Sequence, residues 1–358
     1  MTNHKLTSIF TPSLFSTQKE ERETNFKFID LFAGIGGTRI AFEKAGGECV
    51  FSSEWDTNCQ KTYQTNFGEI PHGDITKING SDIPDYDVLV AGFPCQPFSS
   101  IGKRQGFMHA TQGTLFYDVL RIIKDKKNKA FLLENVPGLT THDGGKTFET
   151  ILKALDEIGY KVFSQILNAA DFGLPQQRKR IYIVGFRKDL FEDIDFKFPV
   201  GTAKKAYISD YLEKDIEGYS ISKHLQDTYL FKLDDGRPII VNKDSKIQVK
   251  TLVSTYHKIQ RLTGTFVEDG PTGIRLLTKN ECKSIMGFPK SFEIPVSRTQ
   301  MYRQLGNSVA VPVVEAVAVE IAKKLYNSDQ RKDKDVKHYR QQKGRDNSGE
   351  FNYRILSE

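Results

Sequence analysis

Cysteine is scarce in this chain and tryptophan scarcer, with four of the first and one of the second in 358 residues. Cys49, Cys59, Cys95 and Cys282 are scattered and form no Cys-x-x-Cys pair. That excludes a disulfide framework and a zinc-ligand set, and it fits a reducing cytosol. A chain of this length buries about three quarters of its unfolded surface, so it needs no such staples. A signal-peptide pattern is missing too, because Met1–Asn25 is polar and has no continuous apolar core. The longest apolar stretch, Val309–Ala322, is interrupted by Glu315 and Glu320 and is too short to span a bilayer. No internal repeat is visible. The expectation is a soluble, cytoplasmic monomer that holds no metal and touches no membrane.

What is present is positive charge, at +6 overall, and its placement says more than its sum. Residues 98–107 carry Lys103 and Arg104 and no acid. Gln176-Gln177-Arg178-Lys179-Arg180 packs three cations together, and 250–267 carries Lys250, Lys258 and Arg261 with His257, again without an acid. Acid-free basic loops suit phosphate contacts, although a solvated face gives the same pattern.

From Lys27 to Phe186 apolar runs alternate with helical periodicity. Strands are expected at Phe28–Phe32, Glu48–Ser52, Val88–Ala91, Ala130–Leu133, Val162–Leu167 and Ile181–Phe186. Helical spacing appears in Leu115-Phe116-Val119-Leu120-Ile122-Ile123 and in Phe148-Ile151-Leu152-Leu155-Ile158. The fold class is therefore α/β, a mostly parallel sheet with helices on both faces. Ligands in such sheets lie beyond the carboxyl ends of the strands. After Phe198-Pro199 the pattern breaks into short strand-like pieces (Pro238–Val241, Thr251–Ser254, Thr265–Val267) and turns, which reads as a smaller, mixed, β-rich domain. The expected organisation is a flexible extension over 1–25, a main domain over 26–199, the smaller domain over 200–272, a return segment over 273–327, and a charged disordered tail over 328–358. Within the return segment, Thr278 with Glu281 reads as a helix start, and Val313–Leu325 as a final helix.

Three places carry chemistry. Asp30-Leu31-Phe32-Ala33-Gly34-Ile35-Gly36-Gly37 joins the first strand to the first helix, and its glycines allow close approach of a ligand. Glu54 follows the next strand, 20 residues after Gly34, where a carboxylate can accept from ribose hydroxyls. The loop has no cation for a pyrophosphate, so a nucleoside cofactor without phosphates fits better than a dinucleotide. A packing turn is the plain alternative. Cys95, in Gly92-Phe93-Pro94-Cys95-Gln96-Pro97-Phe98-Ser99, ends a strand between prolines and is a candidate nucleophile; a buried structural thiol is the alternative. Glu134, in Glu134-Asn135-Val136, ends the following strand, where desolvation would raise its pKa and favour a proton-donating form; a helix-capping or ion-paired glutamate is the alternative.

Further segments complete an ordered set: Glu54-Trp55, Gly73-Asp74-Ile75, Gly113-Thr114-Leu115-Phe116, Gln177-Arg178-Lys179-Arg180, Arg275-Leu276-Leu277-Thr278-Lys279-Asn280-Glu281, Gly287-Phe288-Pro289 and Gln304-Leu305-Gly306-Asn307-Ser308-Val309. Together and in this order they resemble the DNA (cytosine-5)-methyltransferase family, of the type II restriction-modification or phage kind, from Phe28 to about Ala322. The resemblance implies a Rossmann-like S-adenosylmethionine-dependent methyltransferase.

By that resemblance Cys95 adds to carbon 6 of a cytosine, Glu134 holds ring nitrogen 3 and the exocyclic amine, and Arg178 with Arg180 contacts the cytosine carbonyl and nearby phosphates. S-adenosyl-L-methionine is the implied cofactor. Phe32 packs on its adenine within the Gly34–Gly36 loop, Glu54 takes the ribose, Trp55 and Ile75 flank the ring, Asp74 accepts from the adenine amine, and Asn307 with Ser308 closes the methionine end. The substrate is double-stranded DNA with the cytosine flipped out, covered by the loop 96–106 with Lys103 and Arg104 on phosphates. Thr251-Leu252 resembles the family's recognition-domain pair, and Thr251–Lys258 looks like segments of enzymes reading GCNGC-type sites. Thr251, His257, Gln260 and Arg261 are the expected DNA contacts. A cognate restriction endonuclease acting on the same site is the implied partner. Three rivals remain: a cytosine methyltransferase acting on tRNA, an inert DNA-binding relative, and a nicotinamide oxidoreductase. The long 200–272 region disfavours the first, the intact Pro-Cys and Glu-Asn-Val the second, and the incomplete dinucleotide motif the third.

Overall fold

Both faces of the central strands are covered, and the sequence shows it as apolar runs rather than alternation. A computed structural model describes residues 25–94, 115–202 and 204–326. Its sheet is built from β1 (Phe26–Leu31), β2 (Gly47–Ser53), β3 (Val88–Ala91), β4 (Ala130–Asn135), β5 (Tyr160–Asn168) and β7 (Lys179–Arg187), in the order β2-β1-β3-β4-β7-β5. The first four run parallel. Phe28, Val88, Val90, Ala130, Leu132 and Val184 point to one face, where α1 (Gly37–Lys44) packs. Ile29, Leu31, Leu89, Phe131, Leu133 and Ile183 point to the other, under α3 (Leu115–Lys126) and α4 (Lys146–Glu157). The expected helices on both faces are there.

The last strand departs from the parallel pattern. β7 lies antiparallel to both β4 and β5, pairing with β5 from Tyr160↔Arg187 to Asn168↔Lys179. No helix intervenes between β5 and β7, only the turn Ala169–Phe172 and the two-residue strand β6 (Gln176–Gln177). A connection that short returns a chain antiparallel; a parallel return needs a crossover of a dozen residues or more.

From β1 the chain goes first to β2 and then crosses to β3 on β1's other side. The carboxyl ends of β1 and β3 therefore open a crevice, the place where open α/β sheets bind ligands. α2 (Thr57–Phe67) follows β2, capped by Asp56, which accepts from the N–H groups of Asn58 and Cys59.

Beyond residue 200, β8 (Ile239–Val241), β10 (Thr265–Glu268) and β11 (Ile274–Arg275) form a small mixed sheet, and a single turn α5 (Lys223–Leu225) lies beside it. β9 (Val249–Lys250) pairs in parallel with β6. The segment expected as a strand at Thr251–Ser254 is irregular, because side chains replace the ladder. Thr251 Oγ1 donates to the Gln177 carbonyl at 2.7 Å, and Gln176 Oε1 accepts from the Leu252 N–H at 2.7 Å. The core is continuous, since Ile221, Val249, Leu252 and Phe266 belong to the cluster that covers the α1 face of the large sheet.

α6 (Lys279–Met286) begins with the expected capping box, in which Thr278 and Glu281 satisfy each other's backbone N–H. α7 (Arg298–Asn307) and a last helix, α8 (311–326), return to the main sheet. The run from Arg298 to Tyr326 is apolar and long enough to cross a membrane by composition alone. Val313, Val314, Val317, Ala318 and Ile321 are buried in the core, which is what that apolarity serves.

Candidate active site

Glu134 and Arg180 meet at the carboxyl end of β4. Arg180 Nε lies 3.0 Å from Glu134 Oε1, and each side chain keeps 16% of its surface exposed. The register explains the pairing, because Glu134 sits opposite Tyr182 on antiparallel β7, one turn of the pleat from Arg180. Burial pushes the Glu134 carboxyl above its ordinary range, and the guanidinium groups of Arg180 and Arg178 pull it back. Gly92, three residues before Cys95, lies against it, and a Cβ there would stand 3.5 Å from Glu134 Oε2. Asn135 reaches across to the same segment: its Nδ2 donates to the Phe93 carbonyl at 2.9 Å while its Oδ1 accepts from Val136 N–H. The carboxylate and the chain leading to Cys95 are thus bound side by side. Cys95, the loop 96–106, Lys103 and Arg104 lie outside the described residues.

Arg178 sits elsewhere than the resemblance implies. It is 2% exposed and donates to the carbonyls of Leu252 and Gly306, both at 3.0 Å, and of Ser308. Its Nε has no partner among the described residues. Burial, with Arg180 beside it, pulls its pKa down to about 9 against the attraction of Glu134. Arg180 faces the carboxylate; Arg178 braces the chain behind it.

The glycine loop forms a second candidate site. Gly34 has φ of 56°, and nothing lies within 4 Å of where its Cβ would be, so the loop leaves open space there. Its N–H donates to Glu54 Oε2 at 2.8 Å, and the Asp56 N–H donates to Oε1 at 2.8 Å. Burial raises the Glu54 pKa, and those donors lower it. Phe32 is half-buried with φ of 56°, and Trp55 is 78% exposed beside Glu54. Asp74, half-buried, accepts from Thr76 N–H and hydroxyl through Oδ1, which holds its carboxyl below the usual range. These are the parts that a nucleoside calls for: an open glycine turn, aromatic edges, and two carboxylates with oxygen lone pairs left over. Two expected contacts serve packing instead. Ile75 is 2% exposed in the core, and a Cβ on Gly36 would strike the Phe67 ring at 2.2 Å. Asn307 is exposed, and Ser308 Oγ abuts the loop, 2.8 Å from where a Gly37 Cβ would be. The residues present fit S-adenosylmethionine.

The model of the C-5 cytosine-specific DNA methylases matches residues 26–323. The chain belongs to that family. Among its relatives, the type II methyltransferase M.MspI of Moraxella is 58% identical over 314 residues, 88% of this chain and 74% of the relative. M.BsuFI of Bacillus subtilis, also type II, is 59% identical over 309 residues, 86% and 75% of the two chains. The fold is also that of the S. pombe Dnmt2 methyltransferase, with a TM-score of 0.67 over 84% of this chain and 99% of that one at 24% identity. This cytosine-5 methylase is accordingly an S-adenosylmethionine-dependent DNA methyltransferase of the type II restriction-modification kind.

The expected DNA contacts fare unevenly. Thr251 spends its hydroxyl on Gln177. His257 Nδ1 lies 3.2 Å from the Ser254 carbonyl, and Gln260 Oε1 takes the hydroxyls of Thr255 and Thr263. Arg261 is a correction. It is 6% exposed, paired through two nitrogens with Asp235, and bonded to the carbonyls of Leu230 and Leu233. Four of its five N–H donors are spent inside the protein, which leaves one at most for a base edge. Sequence reasoning also passed over Asn135 as the link to Phe93, and Asp30, which is fully buried on β1 with no side-chain oxygen bonded among the described residues.

Proposed function

We propose that the protein flips one cytosine from a short specific double-stranded DNA site and methylates its carbon 5 through a covalent adduct of Cys95. The observation that carries this reading is the Glu134–Arg180 pair bound beside Gly92 and Phe93 at the strand ends. The Cys95 thiolate forms a bond to carbon 6, and the electron pair moves toward carbon 5 and ring nitrogen 3. Glu134, whose burial favours its protonated form, donates a proton at nitrogen 3 and holds the exocyclic amine. Arg180 orients that carboxyl and holds the cytosine carbonyl. After the methyl group is in place, the carbon 5 proton leaves to solvent water, the thiolate departs and the nitrogen 3 proton returns to the Glu134 carboxylate, so one difficult substitution becomes addition and elimination.

S-adenosylmethionine, when bound, supplies the methyl group as a sulfonium substituent. Phe32, Gly34, Glu54, Trp55 and Asp74 hold its nucleoside, and Asn307 with Ser308 its methionine end. Residues 200–272 recognise the target, with a GCNGC-like context as the first to test, and protection from a cognate endonuclease in a bacterial or phage-infected cytoplasm is the biological role. Bisulfite sequencing of DNA from cells expressing the protein tests the modified base and its context together. The expected result is one protected cytosine in a recurring short context; uniform conversion of every cytosine would overturn the proposal.

A further inference from the structure

Arg178 joins three segments that are far apart in the chain. Its guanidinium bonds Leu252, just before Val253–Ser254, and it bonds Gly306 and Ser308 at the end of α7. The two partner segments also touch directly. A Cβ on Gly306 would fall 2.3 Å from Ser254 N and 2.3 Å from the Val253 carbonyl carbon, so α7 and this segment meet backbone to backbone. From α7 the contacts run on to both sides of the cofactor pocket. Ser308 Oγ abuts Gly37, where α1 leaves the glycine loop. Gln304 accepts from Thr62 Oγ1 at 3.0 Å and donates to the Asn58 carbonyl at 2.9 Å, both in α2, which follows Glu54 and Trp55. Two residues along β7, Arg180 holds Glu134.

The arrangement is a costly way to gain stability. This buried cation spends its hydrogen bonds on neutral carbonyls alone, Glu134 acts on it only as a nearby charge, and its Nε has no partner among the described residues. Apolar side chains of similar volume would fill the same space without that desolvation. Five donors in a rigid plane do what no apolar group can, which is to fix several carbonyls at set angles to one another.

We propose that Arg178 is a positioning residue that couples the Thr251–Ser254 segment on the DNA side to the cofactor pocket, by locking both to the end of α7. The inference rests on the methyltransferase reading, because it needs both ligands to bind. Coupling of this kind is reciprocal, so it is measured as a ratio: the affinity for S-adenosylhomocysteine with and without a duplex carrying the methylated context.

Calorimetry on the full chain supplies that ratio. In the parent protein the duplex is expected to change S-adenosylhomocysteine affinity by at least about fivefold. In Arg178→Lys the ratio is expected to fall below about twofold, while S-adenosylhomocysteine still binds alone. A brace that served stability alone would lower the melting temperature and leave the ratio unchanged. An unchanged ratio in Arg178→Lys, or a ratio of one in the parent protein, overturns the proposal. Should Arg178→Lys fail to fold, Gly306→Ala carries the test, since it keeps the guanidinium and forces Val253–Ser254 off α7. A lost ratio there supports the coupling, and a retained one refutes it. Absence of S-adenosylhomocysteine binding in the parent protein would instead bring down the methyltransferase reading, and this inference with it.

Discussion

Two buried clusters of arginine and glutamate can be set side by side. At one, Arg275 and Glu281 are both 0% exposed and joined by two bonds of 2.8 and 2.9 Å. Asp269 takes Nε, and the carbonyls of Leu276 and Glu213 take the rest, so every N–H of Arg275 is used. Burial alone would lower the Arg275 pKa, but the ion pairs with Glu281 and Asp269 outweigh it and hold it above the ordinary value. At the other, among the described residues, Glu134 is ion-paired with Arg180 alone, keeps part of its surface, and Arg178 Nε has no partner. Burial of charge is common to both. Saturation separates them: a complete network is a clamp, and an incomplete one leaves hydrogen-bonding capacity at the strand ends.

The largest effect expected from that contrast lies in catalysis. Glu134→Gln should lower kcat by about 10²- to 10⁴-fold, the usual worth of a positioned acid, with the denaturation midpoint nearly unchanged. Radiolabelled methyl transfer and urea unfolding on the same sample check both halves. Glu281→Gln should do the reverse. Removing one member of a saturated buried pair costs about 3–5 kcal/mol of stability, and activity should persist in whatever fraction stays folded. If Glu281→Gln lost activity at full stability, the distinction between clamp and site would break.

Asp30 offers a milder test. Burial raises its pKa to about 8, with Glu54 adding to the rise and Arg39 opposing it. Between its unfolded value of 3.8 and about 8 the folded chain binds a proton that the unfolded chain does not. Its contribution to stability is therefore largest below pH 3.8 and declines as pH rises through that window. Asp30→Asn should flatten the decline between pH 6 and 9 by on the order of 1–3 kcal/mol, read from urea midpoints across that range. Smallest is Thr278→Ala, which removes the α6 cap and should cost about 1 kcal/mol without changing kcat.

What could be read ahead of the structure follows the range of the interactions. The central strands β3 and β4 were legible because their apolar residues are consecutive, and β5, broken by Ser164-Gln165, by the apolar pairs on either side. The α6 cap was legible because Thr278 and Glu281 are three residues apart. Glu134 stands out in the sequence by its place at a strand's end and Arg180 by the family resemblance, while their meeting follows from the β4–β7 register. Arg261 was misread, because its partner Asp235 is 26 residues away and the loop around the arginine holds no acid. Arg178 was misplaced for the same reason, with partners 74, 128 and 130 residues distant. The antiparallel turn of β7 depended on a missing helix, which periodicity in the flanking strands does not reveal.

The central claim is that Cys95, outside the described residues, completes the site that Glu134 and Arg180 begin. The most direct measurement incubates the protein and S-adenosylmethionine with a duplex carrying 5-fluorocytosine at the methylated position, then maps the trapped peptide. The account predicts a stable covalent complex through Cys95, absent in Cys95→Ser. A complex mapped to another residue, or undiminished methylation by Cys95→Ser, would contradict it.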